Sequence, residues 1–386
     1  RIQTLLVNHL AVYASYSPTY KPISWFASAR ALKSACKHGI SPVTNLAVVQ
    51  MAAHLRVEGH YKEASEYAEV SLLLTERLPQ TLGSDHGQVR MFACGSVFSA
   101  VRSFNNCLNE LLDCRADFLR AGLAKESIGL AIGYTITYLC VGLSLAAAKS
   151  DMEEHTVDAV HYGCPYTVKQ KMMILHQTIL NLMNDVEKPT LLSGEVMDQD
   201  DELEKVEGLG AQRIRLDMNT YRLMLCCVFC DWETAAYLIV YLEENMDDTD
   251  GFLMRSHFRR CYLGLAAFAL SREANFSKQR KKYRAVGKEM LKSFTKEMKH
   301  RSVNAYPIVA MLEAEQLPSK QRYNKAIKAC ARLGLVHHEA YMCERAAEMF
   351  LAERDTEWCK HYISEAIMLY GEWGATGKVK QLHKDY

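Results

Sequence analysis

Residues 323–386 read YNKAIKACARLGLVHHEAYMCERAAEMFLAERDTEWCKHYISEAIMLYGEWGATGKVKQLHKDY, and the apolar spacing in this stretch decides the fold. It has no proline. Ala340, Cys343, Ala347, Phe350 and Leu351 fall on one helical face, and Cys359, Tyr362, Ile363, Ala366, Tyr370 and Trp373 on a second, because offsets of three and four return to the same side of a helix. Glu353-Arg354-Asp355 interrupts the two stripes, with Asp355 placed to cap the second helix. Small residues, Ala and Cys, occupy the contact positions, which lets paired helices approach closely.

Working outward, the same hairpin pattern returns. Gly59-His-Tyr61 is followed by small residues five, nine and twelve places after the glycine, Ala64, Ala68 and Ser71. Weaker copies are Gly122 with Ser127, Ala131 and Tyr134, and Asp231-Trp232 with Ala235, Ile239 and Leu242. Two more are Tyr323 with Ala326, Cys330 and Leu333, and Thr356 with Cys359, Ile363 and Ala366. Ala326 and Cys359 are 359 − 326 = 33 residues apart, close to the period of roughly 34 in tetratricopeptide arrays. The expected fold is all-α, a tetratricopeptide-like helical-repeat array, that is, an α-solenoid of antiparallel helix pairs.

The run from Tyr362 through Ile363, Ala366, Tyr370, Trp373-Gly374-Ala375 and Gly377-Lys378 to Leu382 resembles the end of one particular module. It is similar to the tetratricopeptide-like helical region of large STAND/AAA-type signalling ATPases. In that architecture a Ser/Thr kinase domain and an ATPase precede the helical array, and a sensor histidine kinase or nucleotide cyclase follows it. Ile363 replaces a leucine and Gly377 an alanine of the family pattern; His338-Glu339-Ala340 and Ala346-Ala347 with Phe350 also fit. Gln177, Asn181-Leu182 and then Leu192-Ser-Gly194-Glu195 match a second family segment. The resemblance implies a non-catalytic region that couples an ATPase to an output domain through protein–protein contacts. ATP is then expected in the neighbouring domain and no cofactor in this one. The alternative is a stand-alone scaffold that binds peptides or proteins.

Composition bounds the rest. The chain has 386 residues, with 46 basic against 45 acidic residues, so no global field points to nucleic acid or membrane. Eight prolines and 20 glycines favour long helices. Thirteen cysteines without framework spacing imply reduced, buried thiols and a cytoplasmic setting. The first residue is Arg1 and no signal peptide is visible, so the chain is expected to begin inside a larger protein. Ser17-Pro18 and Ser41-Pro42 break the first 50 residues into separate helices, and Pro165 opens a helix that runs to about Asn184. Residues 127–148 contain no charge and are long enough to span a bilayer. Their glycines, threonines and tyrosines favour a helix buried on all sides, with no membrane span.

Residues 185–210 carry nine acidic residues and two lysines and read as an exposed loop. The loop would join an N-terminal block of repeats, 1–184, to a C-terminal block, 211–386. Residues 272–301 carry eleven basic residues and three glutamates. They read as the solvated face of one helix, opposite Glu243, Glu244, Asp247, Asp248 and Asp250. A nucleic-acid surface would interleave stacking aromatics, and here only Phe276, Tyr283 and Phe294 are available.

No motif in the sequence supplies a catalytic residue. Gly287-Lys288 and Gly377-Lys378 lack the earlier glycine of a phosphate loop, with Lys282 and Glu372 in its place. Gly208-Leu-Gly210 lacks a third glycine. Cys227 and Cys230 form one CxxC with no second ligand pair, so no metal is expected. His337-His338-Glu339 has Met342 where a zinc protease has histidine, and the pair reads as a helix start. Candidate partner-contact residues are Arg280, Lys281, Lys282, Arg284, Trp373 and Lys378.

Overall fold

The computed structural model describes residues 21–41, 44–78, 83–205, 209–245, 253–272 and 279–386. The described residues form helices and no strand, and neighbouring helices pack in pairs. Two compact units are present. The first comprises Arg1–Thr137, Asp247–Ser256 and Lys299–Asn304, and the second Tyr138–Met246, His257–Met298 and Ala305–Tyr386. Each unit is thus built from three separate segments of the chain, and residues 185–205 and 209–210 belong to the second.

In the first unit, α1 (Lys21–His38), α2 (Thr44–Val57) and α3 (Tyr61–Arg77) precede α4 (Gly83–Phe92). α4 runs on through a π-helical turn, Ala93–Phe98, and a last turn, Ser99–Val101, before α5 (Phe104–Arg120). Leu46, Val49, Ala64, Ala68, Phe92 and Phe98 share one core. Asn304 ties the end of the π segment to α5. Its Oδ1 accepts from the Phe104 amide at 3.1 Å, and its Nδ2 donates to the Ser99 and Arg102 carbonyls at 2.9 and 2.8 Å. The chain is non-helical over Gly39–Ser41, between α1 and α2, whereas Pro42 and Ser17-Pro18 lie outside the described residues.

The next helices are α6 (Ala124–Val141), α7 (Leu145–His161), α8 (Tyr166–Met183) and the short α9 (Gln199–Glu204). They are followed by α10 (Leu209–Phe229), α11 (Trp232–Asn245), α12 (Leu253–Leu270) and α13 (Arg280–Lys299). The last five are α14 (Ala305–Gln316), α15 (Lys320–Arg332), α16 (Val336–Ala352), α17 (Thr356–Trp373) and α18 (Thr376–Asp385). From α14 to α18 each helix packs on the next, and α18 returns to α8 and α10. Asp355 caps α17 as expected, its Oδ1 accepting from the Trp358 amide at 3.2 Å. Pro165 stands at the N-cap of α8, also as expected.

One local rule builds the helix pairs. A residue of positive φ ends the first helix, and the second starts two residues on. Gly59, Gly122 and Gly334 fill this place, and so do the non-glycine residues Cys230 (φ 57°) and Arg354 (φ 63°). Side chains five, nine and twelve residues later point back at the partner, since they repeat at the spacing of one helix face. Ala64, Ala68 and Ser71 are fully buried after Gly59, and Ala235, Ile239 and Leu242 after Cys230. Cys359, Ile363 and Ala366 are buried after Arg354. The stripe on α16 needs one correction: Phe350 is buried, but Leu351 points outward.

Two further expectations change. The uncharged run 127–148 is not one helix. α6 ends at Val141, Gly142 turns the chain at φ 69°, and α7 begins at Leu145. Among the described residues, no helix is long and apolar enough to cross a membrane. The acidic segment is not a simple exposed loop either. Thr190, Leu192, Met197, Gln199 and Glu202 are buried within it, and residues 199–204 form α9. Asp198 caps α9 by accepting from the Asp200 and Asp201 amides. All thirteen cysteines are free; Cys36 is exposed, Cys230 half-buried, and the other eleven are buried.

Candidate functional site

α16 carries two charged side chains, Glu344 and Arg345, into the interior. Residues 340, 343, 344 and 347 lie on one helix face, so Glu344 occupies a place in the buried stripe between Ala340 and Ala347. Its Oε1 accepts from Lys378 Nζ of α18 at 2.6 Å, and its Oε2 from the Tyr370 hydroxyl of α17 at 2.9 Å. Lys378 is 1% exposed, and it also donates to Gln381 at 3.0 Å. Gln381 in turn donates to the Phe229 carbonyl at 3.2 Å, which fixes the end of α10.

One residue along, Arg345 pairs with Glu348 on its own helix and with Glu315 of α14 at 3.3 Å. Its guanidinium stands 5.1 Å from the ring centre of Trp232. Glu315 is fully buried and also takes Arg272 and the Tyr323 hydroxyl. Three carboxylates thus meet three cations drawn from α14, α16, α18 and the end of α12. Unpaired, any of the four buried members, Glu315, Glu344, Arg345 or Lys378, would cost several kcal/mol.

The electrostatics follow the pairing. Burial tends to lift the Glu315 carboxyl, but Arg272 and Arg345 outweigh it and hold it below the usual carboxylate range. Burial pushes Glu344 up against the pull of Lys378. Burial would lower Lys378, yet Glu344 beside it leaves the ammonium above its ordinary value.

The Cys230 thiol lies 3.5 Å from a carboxylate oxygen of both Glu344 and Glu348, within reach to donate its one proton to either. Burial raises its pKa well above the ordinary value, followed by Glu344, so the sulfur stays protonated and a poor nucleophile. Cys230, Glu344 and Glu348 present three potential metal-ligand atoms within 4.8 Å of one another. Lys378 and Arg345 already neutralise these carboxylates, so a cation entering here would face two fixed positive charges.

A second set of contacts joins the two motif segments. Gln177 donates to Asn181 Oδ1 at 2.8 Å, and its own Oε1 accepts from the Val196 amide at 3.1 Å. Asn181 Nδ2 donates to the Pro189 and Leu191 carbonyls at 2.9 and 2.7 Å. A Cβ on Gly194 would lie 2.5 Å from Gln177 Nε2. The start of α18 presses on the end of α8: a Cβ on Gly377 would lie 2.3 Å from the Asn184 carbonyl oxygen. Thr376 donates to the Met183 carbonyl, and Trp373 and Ala375 are buried.

Beside this joint is a pocket of about 640 Å³ bounded by residues 184–191 with Arg222, Phe229, Asp231, Gly377 and Gln381. Arg222 Nε donates to the Thr190 carbonyl at 3.0 Å, and the Thr190 hydroxyl donates to Asp231 at 2.7 Å. Burial pulls the Arg222 guanidinium below its ordinary value. Asp231 also caps α11 through the Thr234 amide at 3.1 Å.

The structure divides the candidate partner-contact residues. Lys281, Lys282 and Arg284 are exposed on α13 and Arg280 is half-buried there. Lys282 pairs with Glu243 at 3.1 Å, as the reading of a solvated face required. Asp247, Asp248 and Asp250 lie outside the described residues, as does Gly208. Trp373 and Lys378 are buried, so as placed they present no surface to a partner. Lys378 is spent inside, on Glu344.

His337 and His338 are in the first turn of α16, but they are buried and not solvated. Their rings lie 3.8 Å apart, and the Tyr262 hydroxyl is 3.4 Å from His338 Nε2. Burial drives His337 well below its ordinary pKa, with His338 adding to the effect, and brings His338 to about 3. Of the CxxC residues, Cys227 donates to the Tyr262 carbonyl at 3.7 Å and Cys230 joins the charged network. The sequence reading missed Glu344, Glu348, Arg345 and Glu315. The available signal was a glutamate inside the helical apolar stripe.

No protein-family model matches the chain. No similar curated protein is found for it.

Proposed function

We propose that the chain is a non-catalytic, tetratricopeptide-like region of a STAND/AAA-type signalling ATPase. In this reading it transmits the nucleotide state of a neighbouring ATPase domain to an output domain by protein–protein contact. The observation that carries the proposal is the joint at α18. The two segments that resemble the family, 177–195 and 362–382, are far apart in sequence, yet Gly377 and Thr376 abut the end of α8. The Gln177–Asn181 pair meanwhile holds the loop that leaves that helix. A motif maintained for a joint would show this convergence. The turn rule with its five-, nine- and twelve-residue offsets supports the repeat type, and the charges of the interior are spent on one another.

The test is to sequence the transcript on both sides of these 386 codons and then probe coupling in the full protein. An ATPase upstream and a kinase or cyclase downstream are expected, with Gly377→Ala lowering nucleotide-dependent output while ATP hydrolysis persists. Flanks that encode neither domain would overturn the reading in favour of a stand-alone protein- or peptide-binding scaffold.

A further inference from the structure

α13 presents a basic row, and segment 187–204 a set of carboxylates, that form no ion pair among the described residues. On α13 the apolar face is consumed internally. Tyr283, Val286, Met290 and Phe294 are buried, and a Cβ on Gly287 would lie 2.7 Å from the Phe268 ring. That contact fixes which side faces out. The outward side carries Arg284, Lys288, Lys292 and Lys296, all exposed and with no ion-pair partner among the described residues. Successive members are four residues apart, about 6 Å along the axis each, so the row extends roughly 18 Å. Glu289 is the exposed carboxylate beside it; Glu297 is engaged by His257 at 2.5 Å and Arg260 at 2.8 Å. Like charges at this spacing destabilise a helix by a few tenths of a kcal/mol per pair. The row is therefore a local cost that nothing among the described residues relieves.

The acidic segment is its complement. Glu187, Glu195, Asp198, Asp200, Asp201 and Glu204 are exposed and form no ion pair among the described residues. Glu202, by contrast, is buried with Lys205, Tyr166 and Gln170. The segment is pinned by Gln177, Asn181 and the Asp198 cap. Its carboxylates are thus presented from fixed backbone, which reduces the ordering cost of a contact. The whole chain is nearly neutral, at +1. Separated, unscreened patches on a neutral molecule favour attraction between copies over repulsion.

We propose that the basic row of α13 in one copy docks on the acidic segment 187–204 of a second copy, forming a salt-sensitive homo-oligomer. The occupant is identified by charge complementarity within the protein itself, and the inference stands apart from the coupling role. Sedimentation velocity of the full-length protein tests it. At about 10 mM salt, where the screening length is ~30 Å, species larger than the monomer are expected. At about 1 M, where it is ~3 Å, the monomer should dominate.

Two charge-reversal variants extend the test. One reverses the basic row through Lys288→Glu, Lys292→Glu and Lys296→Glu; the other reverses the acidic segment through Asp200→Lys, Asp201→Lys and Glu204→Lys. Each should self-associate at least tenfold more weakly than wild type, and an equimolar mixture of the two should associate again. All six positions are exposed, and circular dichroism verifies folding; lysine-to-glutamine versions of the basic-row variant provide a milder second test. A wild-type protein that stays monomeric at low salt overturns the proposal, as does association insensitive to salt or to the substitutions. So does a monomer whose basic row binds phosphatidylserine vesicles or RNA instead.

Discussion

Acidification should weaken the fold through His337 and His338 before the carboxylates protonate. Both rings are buried, 3% and 6% exposed. Their ring centres lie 3.8 Å apart with the planes tilted by 31°, and Gly142 packs so closely that a Cβ on it would lie 2.1 Å from His337 Nδ1. Burial lowers both, His338 to about 3, and His337 well below its ordinary value with His338 adding to the effect. In the unfolded chain each titrates near 6.5. Below that value the unfolded state binds two protons that the folded state refuses. Stability is therefore complete above about pH 6.5 and falls as the pH falls. Each imidazole contributes about 1.4 kcal/mol per pH unit, so at pH 5 the loss is about 2 kcal/mol per ring and about 4 kcal/mol for the pair. Glu339 and Glu344, pushed up by burial, act in the opposite sense and offset part of this slope. The difference between variant and wild type isolates the histidines. Urea unfolding followed by circular dichroism at pH 7, 6 and 5 should show the double variant His337→Leu/His338→Phe losing about 4 kcal/mol less than wild type over that interval. Equal losses in the two proteins would refute the assignment.

Three other outcomes follow from named contacts. Lys378→Met leaves Glu344 buried without its cation and should cost about 3–5 kcal/mol, most of it recovered when Glu344→Gln is added; urea midpoints of the single and double variants check this. Gly377→Ala places a methyl 2.3 Å from the Asn184 carbonyl oxygen. It should cost about 1–3 kcal/mol, read as a lower thermal midpoint together with faster amide exchange at the end of α8. Arg354 is exposed at φ 63°, and its side chain makes no ion pair among the described residues. Arg354→Gly should stabilise the α16–α17 hairpin by about 1 kcal/mol, measured as a raised melting temperature.

The helices were legible because their determinants are local. The stripes 340–350 and 359–373, the Gly59 turn and the Asp355 cap each rest on residues within four positions or one turn of each other. Sequence also identified Gln177, Asn181 and Gly377 as belonging to motifs, without saying what they touch. Charge assignment failed where distance in sequence intervened. Lys378 and Glu344 are 34 residues apart and Arg272 and Glu315 are 43 apart, and a one-dimensional pattern cannot tell a buried pair from two solvated ends. For the same reason residues 185–210 read as loop, although Asn181 and Gln177 of the preceding helix bond the backbone of Pro189, Leu191 and Val196. The sequence by itself thus determined an all-helical protein with close-packed hairpins, because helix periodicity and turn conformation are properties of a few consecutive residues. Only the tertiary structure decided which charges go inside, that the histidine pair is buried, and which cations on α13 are left facing out. Those outcomes depend on which helix faces meet, and burial raises the energetic consequence of every unpaired group there.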